Sequence, residues 1–172
     1  MRRSPAHSII ALSMVLISCA KHKEEGIIRQ FPLDDMSGVI YKSNAQIDKS
    51  VSSDGKGSLR IEATQPITVP IFEINDLKID NAKIFYRAKV RTKDVIGQVY
   101  LEMLCHFPNK GEYFSRGQAS LISGTTDWTN QETPFILQKG EIPDIVKLNL
   151  VINGSGTAWI DNIILSSGPL NP

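Results

Sequence analysis

The chain has 172 residues, 41% of them apolar, with 19 Lys and Arg against 18 Asp and Glu and a formal charge of +1. This composition excludes a disordered polymer, and the absence of any basic cluster argues against nucleic acid or an anionic lipid surface as the main partner. The length suits one domain with a sizeable core and is too short for two ordinary ones.

In chain order, the first element is an export signal. Met1 to Ser8 carry two arginines and no acid, and Ile9 to Ser18 is an apolar run of the length of a signal core, too short to span a bilayer. Its end, Leu16-Ile17-Ser18-Cys19, resembles the lipobox of bacterial lipoproteins. That resemblance implies cleavage before Cys19, diacylation of its sulfur and usually N-acylation, so the chain divides into a signal at 1–18, a lipidated cysteine and tether at 19–30 and a domain at 31–172. Removal of the signal takes Arg2 and Arg3 with it, leaving 154 residues with 17 basic and 18 acidic side chains. Two or three acyl chains, at about 0.8 kcal/mol per buried CH₂, form a lasting membrane anchor. The expected address is the bacterial cell envelope, with the outer membrane favoured because Ala20 rather than aspartate follows the cysteine. Residues 20–26 are polar and charged, as suits a solvated tether.

The body predicts an all-β fold. Apolar and polar residues alternate in Ser58–Ala63, with Leu59, Ile61 and Ala63 on one face, and in Lys83–Arg91, with Ile84, Tyr86, Ala88 and Val90 inward. Val99–Phe107 sets Val99, Leu101, Met103, Cys105 and Phe107 against Tyr100, Glu102, Leu104 and His106. Lys147–Asn153 buries Leu148, Leu150 and Ile152, and the turn Asn153-Gly154-Ser155-Gly156 introduces a final strand over Thr157–Leu165. Less regular strands are predicted near 38–42, 67–74, 113–122 and 129–137, and a short helical turn near 75–81. Turns at Ser53-Asp54-Gly55, Asn109-Lys110-Gly111, Ser123-Gly124 and Lys139-Gly140 punctuate the pattern. The expectation is a jelly-roll β-sandwich of about nine or ten antiparallel strands, with a closed barrel as the alternative.

Four segments in order resemble the jelly-roll carbohydrate-binding modules with a galactose-binding-domain-like fold: Gly55–Ile61, Tyr86–Arg91, Thr125–Thr129 and Gly154–Ile163. They span roughly residues 31–166. The resemblance implies the sandwich and, in many relatives, one structural Ca²⁺ held by a carboxylate near the N-terminal strand, backbone carbonyls and the aspartate of the closing strand. Asp161 matches that last position, Asp34 or Asp35 stands at the first, and the loop 54–57 offers carbonyls. The relatives' usual Asn-Gly-x-Phe-Glu is replaced here by Phe31-Pro32-Leu33-Asp34-Asp35.

Fold alone does not deliver function. If Cys105 and its partners point inward, Tyr100, Glu102 and His106 point outward on one strand face, with Tyr113 or Phe114 adding an aromatic at the rim. A tyrosine ring stacks on a sugar, while Glu102 and His106 offer hydrogen-bonding groups to its hydroxyls. The expected function is therefore non-catalytic binding of a glycan, or another extended ligand, by an envelope lipoprotein. The alternative is a structural or protein-interaction lipoprotein that binds an envelope protein and no sugar. Trp128 and Trp159 are expected in the core. Lone Cys105 is expected to be buried and inert, since neighbouring His106 points the other way. Glu102, Glu112 and Glu132 raise a glycoside hydrolase as the enzymatic alternative, which needs two of them to converge.

Overall fold

Alternation with a period of two becomes eight strands in the computed structural model, which describes residues 25–170. The signal segment and Cys19 lie outside the described residues. The strands are β1 (Gly26–Phe31), β2 (Ala45–Asp48), β3 (Ser58–Ala63), β4 (Ile67–Asn75), β5 (Ala82–Phe107), β6 (Gly111–Arg116), β7 (Ile122–Leu137) and β8 (Ile145–Gly168). All pairings are antiparallel. Apart from one 3₁₀ turn at Gln118–Ser120 the described residues contain no helix, so none is long and apolar enough to cross a membrane.

Two strands are longer than the sequence suggests. β5 and β8 pair along nearly their whole lengths, and each passes through both layers of the sandwich. In one layer, residues 156–168 of β8 lie between β5 on one side and β3 and β1 on the other, with β2 outside β3 and β7 outside β5. In the second, the order is β4, the first part of β8, the last part of β5, then β6. The segment Asn153-Gly154-Ser155-Gly156 is therefore not a turn between strands. It is the crossing of β8 from one layer to the other, opposite Ile96–Gln98 of β5. Glycine is required there by contact: a Cβ on Gly97 would sit 2.1 Å from the Asn153 carbonyl oxygen, and one on Gly154 would sit 1.8 Å from that of Ile96.

The inward sets behave as the alternation predicts. Leu59, Ile61, Ile84, Tyr86, Val90 and Ile160 of the first layer face Val99, Leu101, Met103, Cys105, Leu148, Leu150 and Ile152 of the second, all buried in one core. Along one side β6 and β7 close the sandwich, through a 2.8 Å Ser115–Thr133 hydroxyl contact and Phe107 packed against Phe135.

Other boundaries differ for local reasons. Residues 26–30, read as tether, belong to the fold, because β1 covers the β8 edge at Ile163–Ser167. Residues 38–42 form no strand, although Ile40 and Tyr41 donate backbone hydrogen bonds to Ile71 and Pro70 of β4. The expected strand at 113–122 breaks after Arg116, where the Gly117 N–H turns to the Leu101 carbonyl at 2.8 Å. The expected helical turn near 75–81 is absent, and Asp76 and Asn81 both adopt positive φ, which interrupts helical geometry.

Candidate functional site: the outer face of the second layer

Inward placement of Cys105 and its partners forces Tyr100, Glu102, Leu104 and His106 outward. Strand pairing builds rows on either side of them. Val151 lies opposite Tyr100; Asn149 and Arg116 flank Glu102; Lys147 and Phe114 flank Leu104; Ile145 and Glu112 flank His106. β4 extends the face with Thr68, Pro70, Glu73 and Asn75. At about 3.4 Å per residue, Tyr100 to His106 spans about 20 Å, the scale of an extended ligand rather than a single small molecule.

The centre of the face is its least exposed part. Outward side chains on an open sheet are ordinarily well exposed, yet Asn149 is only 4% exposed, Val151 6% and Glu102 7%. Tyr100, Leu104 and His106 are half-buried, and Glu112, Phe114 and Arg116 at the β6 edge are exposed. Burial thus falls from the centre of the face to its rim.

Polar groups at the centre form a paired network. Glu102 accepts from Arg116 Nε at 2.7 Å through one oxygen and from Asn149 Nδ2 at 3.2 Å through the other. The Glu102 carboxylate holds the Arg116 guanidinium above its ordinary pKa. That guanidinium also lies 4.3 Å from the Phe114 ring centre, a cation–π contact. Since Asn149 must donate to the carboxylate, its Oδ1 faces elsewhere, and that oxygen is buried without a partner. Lys147 reaches Glu112 at 3.3 Å. His106 Nδ1 lies 2.6 Å from Asp144, whose carboxyl is held below its ordinary range by this hydrogen bond. The charges around the centre are thus matched.

Three of the four residues singled out from the sequence, Tyr100, Glu102 and His106, share this face. Tyr113 does not. It pairs with Cys105 and so projects to the other side, where it packs edge-on against Phe107 at 5.9 Å. Phe114, opposite Leu104, supplies the rim aromatic instead. Glu102 has both oxygens engaged and acts as the floor that positions Arg116 and Asn149. Arg116 and Asn149 escaped the sequence reading, for they become neighbours only through strand register, and the same register decides between Tyr113 and Phe114, both of which the sequence offered.

The tryptophans also lie elsewhere than expected. Trp159 is buried but outside the hydrophobic core. It faces outward from the first layer, with Arg60 and Arg91 about its ring at 5.9 and 6.0 Å and its Nε1–H donated to Asp48 at 3.0 Å. Trp128 is half-buried on β7 and likewise outside the core. Alternation alone signals the first case, since Ala158 and Ile160 flank Trp159 and point inward. Cys105 is buried, and burial pushes its thiol up to about 12, which disfavours a nucleophilic thiolate. Glu132 sits on the first layer with Arg87, and Glu112, opposite His106, is offset from Glu102 by four residues along the strands, about 13 Å, too far for the paired carboxylates of glycoside hydrolysis.

The calcium ligands expected from the resemblance are mostly engaged. Asp35 accepts the Ser37 N–H at 2.7 Å. Asp161 is fully buried and accepts the Ser53 N–H at 2.8 Å and the Asn162 N–H at 2.7 Å. Asp34 alone keeps a buried carboxylate oxygen, Oδ1, without a partner, and the Asp34 and Lys56 carbonyls both accept from Lys49. Among the described residues no group of three or more His, Cys, Asp or Glu side chains could share a metal ion. Calcium takes six to eight oxygens, and one free carboxylate oxygen does not fit that demand.

No family model matches the chain, and no curated protein sequence matches it. Its fold does recur among solved structures. The CBM22-1 xylan-binding domain of Paenibacillus barcinonensis Xyn10C superposes with a TM-score of 0.63 at 13% identity, covering 87% of this chain and 98% of that one. TmCBM61, solved in complex with β-1,4-galactotriose, gives 0.50 at 12% identity over 77% of this chain and 90% of that one. The Stig cyclase Fisc from Fischerella sp. TAU gives 0.55 at 12% identity over 81% and 85%. The shared property is the β-sandwich of carbohydrate-binding modules, and the cyclase shows that the fold does not fix the chemistry.

Proposed function

We propose that this protein is a non-catalytic, glycan-binding lipoprotein of the bacterial cell envelope, held to the membrane through acylated Cys19. The ligand lies across the outer face of β4, β8, β5 and β6. One observation carries this reading: half-buried Tyr100 and exposed Phe114 border a nearly buried polar centre of Glu102 and Asn149, to which exposed Arg116 is paired from the rim. Ring faces cover the CH surface of a pyranose, while a few fixed polar groups meet its hydroxyls. Matched charges at the centre favour an uncharged glycan, because an ionic one would have to break the Glu102–Arg116 pair. The likeness to xylan- and galactotriose-binding modules supports the same ligand class.

Calorimetric titration with neutral β-1,4-linked xylo- and galacto-oligosaccharides tests the proposal. Tyr100→Ala and Phe114→Ala are each expected to weaken binding about 3- to 10-fold, from about 0.5–1.5 kcal/mol per aromatic contact. Phe114→Ala should leave the melting temperature nearly unchanged, since that ring is exposed. Absence of binding across neutral glycans, with a protein partner captured through this face, would favour the interaction-module alternative. For the anchor, Cys19→Ser is expected to move the protein out of the membrane fraction or stall its processing. Unchanged partition with normal maturation would refute it.

A further inference from the structure

Lys49 directly follows β2, at the start of the β2–β3 connection, and looks, in the sequence, like any surface lysine. Its ammonium nevertheless joins two segments distant from each other in the chain. Nζ donates to the Asp34 carbonyl at 2.5 Å and to the Lys56 carbonyl at 2.9 Å, linking the segment after β1 to the loop before β3. Gly57 makes room for the lysine stem: at φ +141° it adopts a backbone that disfavours a side chain, and a Cβ there would lie 3.3 Å from Lys49 Cδ and 3.2 Å from Ile47 Cγ2. These two carbonyls come from the segments in which the resemblance places calcium ligands. Asp161, the remaining expected ligand, is already satisfied by the Ser53 and Asn162 amides.

We propose that Lys49 is a covalently tethered cation doing the structural work of the divalent ion that the fold implies, and that this protein is stable without metal. A divalent ion gathers oxygens from several segments at once and stabilises the native state in proportion to RT ln(1 + [L]/Kd). An ammonium with three donors does less coordination, but its effective concentration is fixed by the chain. Its stabilisation is present at any calcium level, and chelators cannot remove it. Here it draws the 33–37 and 52–57 segments together over the edge of the first layer.

Melting of the mature protein and of Lys49→Met, each in millimolar CaCl₂ and in excess chelator, tests this. The wild-type midpoint is expected to be the same in both buffers. Lys49→Met keeps the stem and removes the donors, and is expected to melt about 3–8 °C lower, from hydrogen bonds to a charged group discounted for exposure. Amide exchange in 33–37 and 52–57 should rise in the variant while that of β5 stays unchanged. A wild-type midpoint that falls on chelation and returns with calcium would overturn the proposal, as would a Lys49→Met protein that melts like wild type. If Lys49→Met does not fold, calorimetric titration of the wild type with CaCl₂ decides. Saturable heat with a raised midpoint refutes the proposal, and no saturable heat upholds it.

Discussion

Glu102 offers a sharp test of how the candidate face is built, because its two oxygens have separate partners. Glu102→Ala removes both acceptors at a 7%-exposed site. Arg116 then loses a charge-assisted bond, and Asn149, whose Oδ1 is already without a partner, loses its Nδ2 partner too. Both bonds go to a charged carboxylate; the buried one from Asn149 is worth about 1.5–3 kcal/mol and that from exposed Arg116 about 0.5 kcal/mol after screening by solvent, a loss of about 2–3.5 kcal/mol. For a domain of this size that is a midpoint lowered by about 4–14 °C. Glu102→Gln behaves differently. If the Asn149 amide turns over, its Oδ1 accepts from the new Gln amide, and the Gln oxygen remains free to accept from Arg116. The Asn149 amide nitrogen then takes the place of the unpartnered oxygen, so the trio holds one unsatisfied buried atom, as in the wild type, and the expected cost is below about 1 kcal/mol. Urea unfolding of wild type, Glu102→Ala, Glu102→Gln and the Asn149→Ala combinations measures these terms in one cycle. If Glu102→Gln is as damaging as Glu102→Ala, the negative charge itself holds the face together, and the network as drawn is wrong.

Two further outcomes follow from other parts of the molecule. Asp48 is lowered to about 2 by hydrogen bonds from Ser50 and then Trp159; because its native pKa lies below the unfolded value of 3.8, its stabilising contribution is complete above about pH 4 and is lost as pH falls toward 2. Asp48→Asn should flatten the melting midpoint over that window, and an unaltered acid profile would contradict the assignment. Cys105, with its thiol pushed up to about 12, should resist a thiol reagent at neutral pH in the native state. With Cys19 acylated, one thiol per chain should react in denaturant; rapid native labelling would show that the strand is not buried.

Sheet chemistry was legible wherever one face is apolar, since Leu101, Met103 and Cys105 leave no choice about which way Tyr100, Glu102 and His106 point. Register across a hairpin was not. The β5–β6 connection runs through positive φ at Asn109 and Gly111, and that geometry decides whether Tyr113 or Phe114 shares the Glu102 face. Both are aromatic and both are exposed, so neither hydropathy nor alternation separates them. Gly154 and Gly156 misled in a different way. Glycine pairs ordinarily mark turns, but here they permit backbone contact within a continuous strand. Lys49 was invisible for a simpler reason: its partners are main-chain carbonyls, which leave no trace in side-chain identity.

The passage of β5 and β8 through both layers has a consequence for recognition. A groove between separately connected sheets can open and close as they slide, but here the two central strands of the candidate face are the same strands that run on through the opposite layer, with Gly97 and Gly154 in close contact at the crossing. The two layers are continuous through β5 and β8, and sliding one over the other would break the pairing that these strands keep in both. A ligand on this face would meet strands already ordered by the core beneath them, which limits the conformational freedom lost on binding.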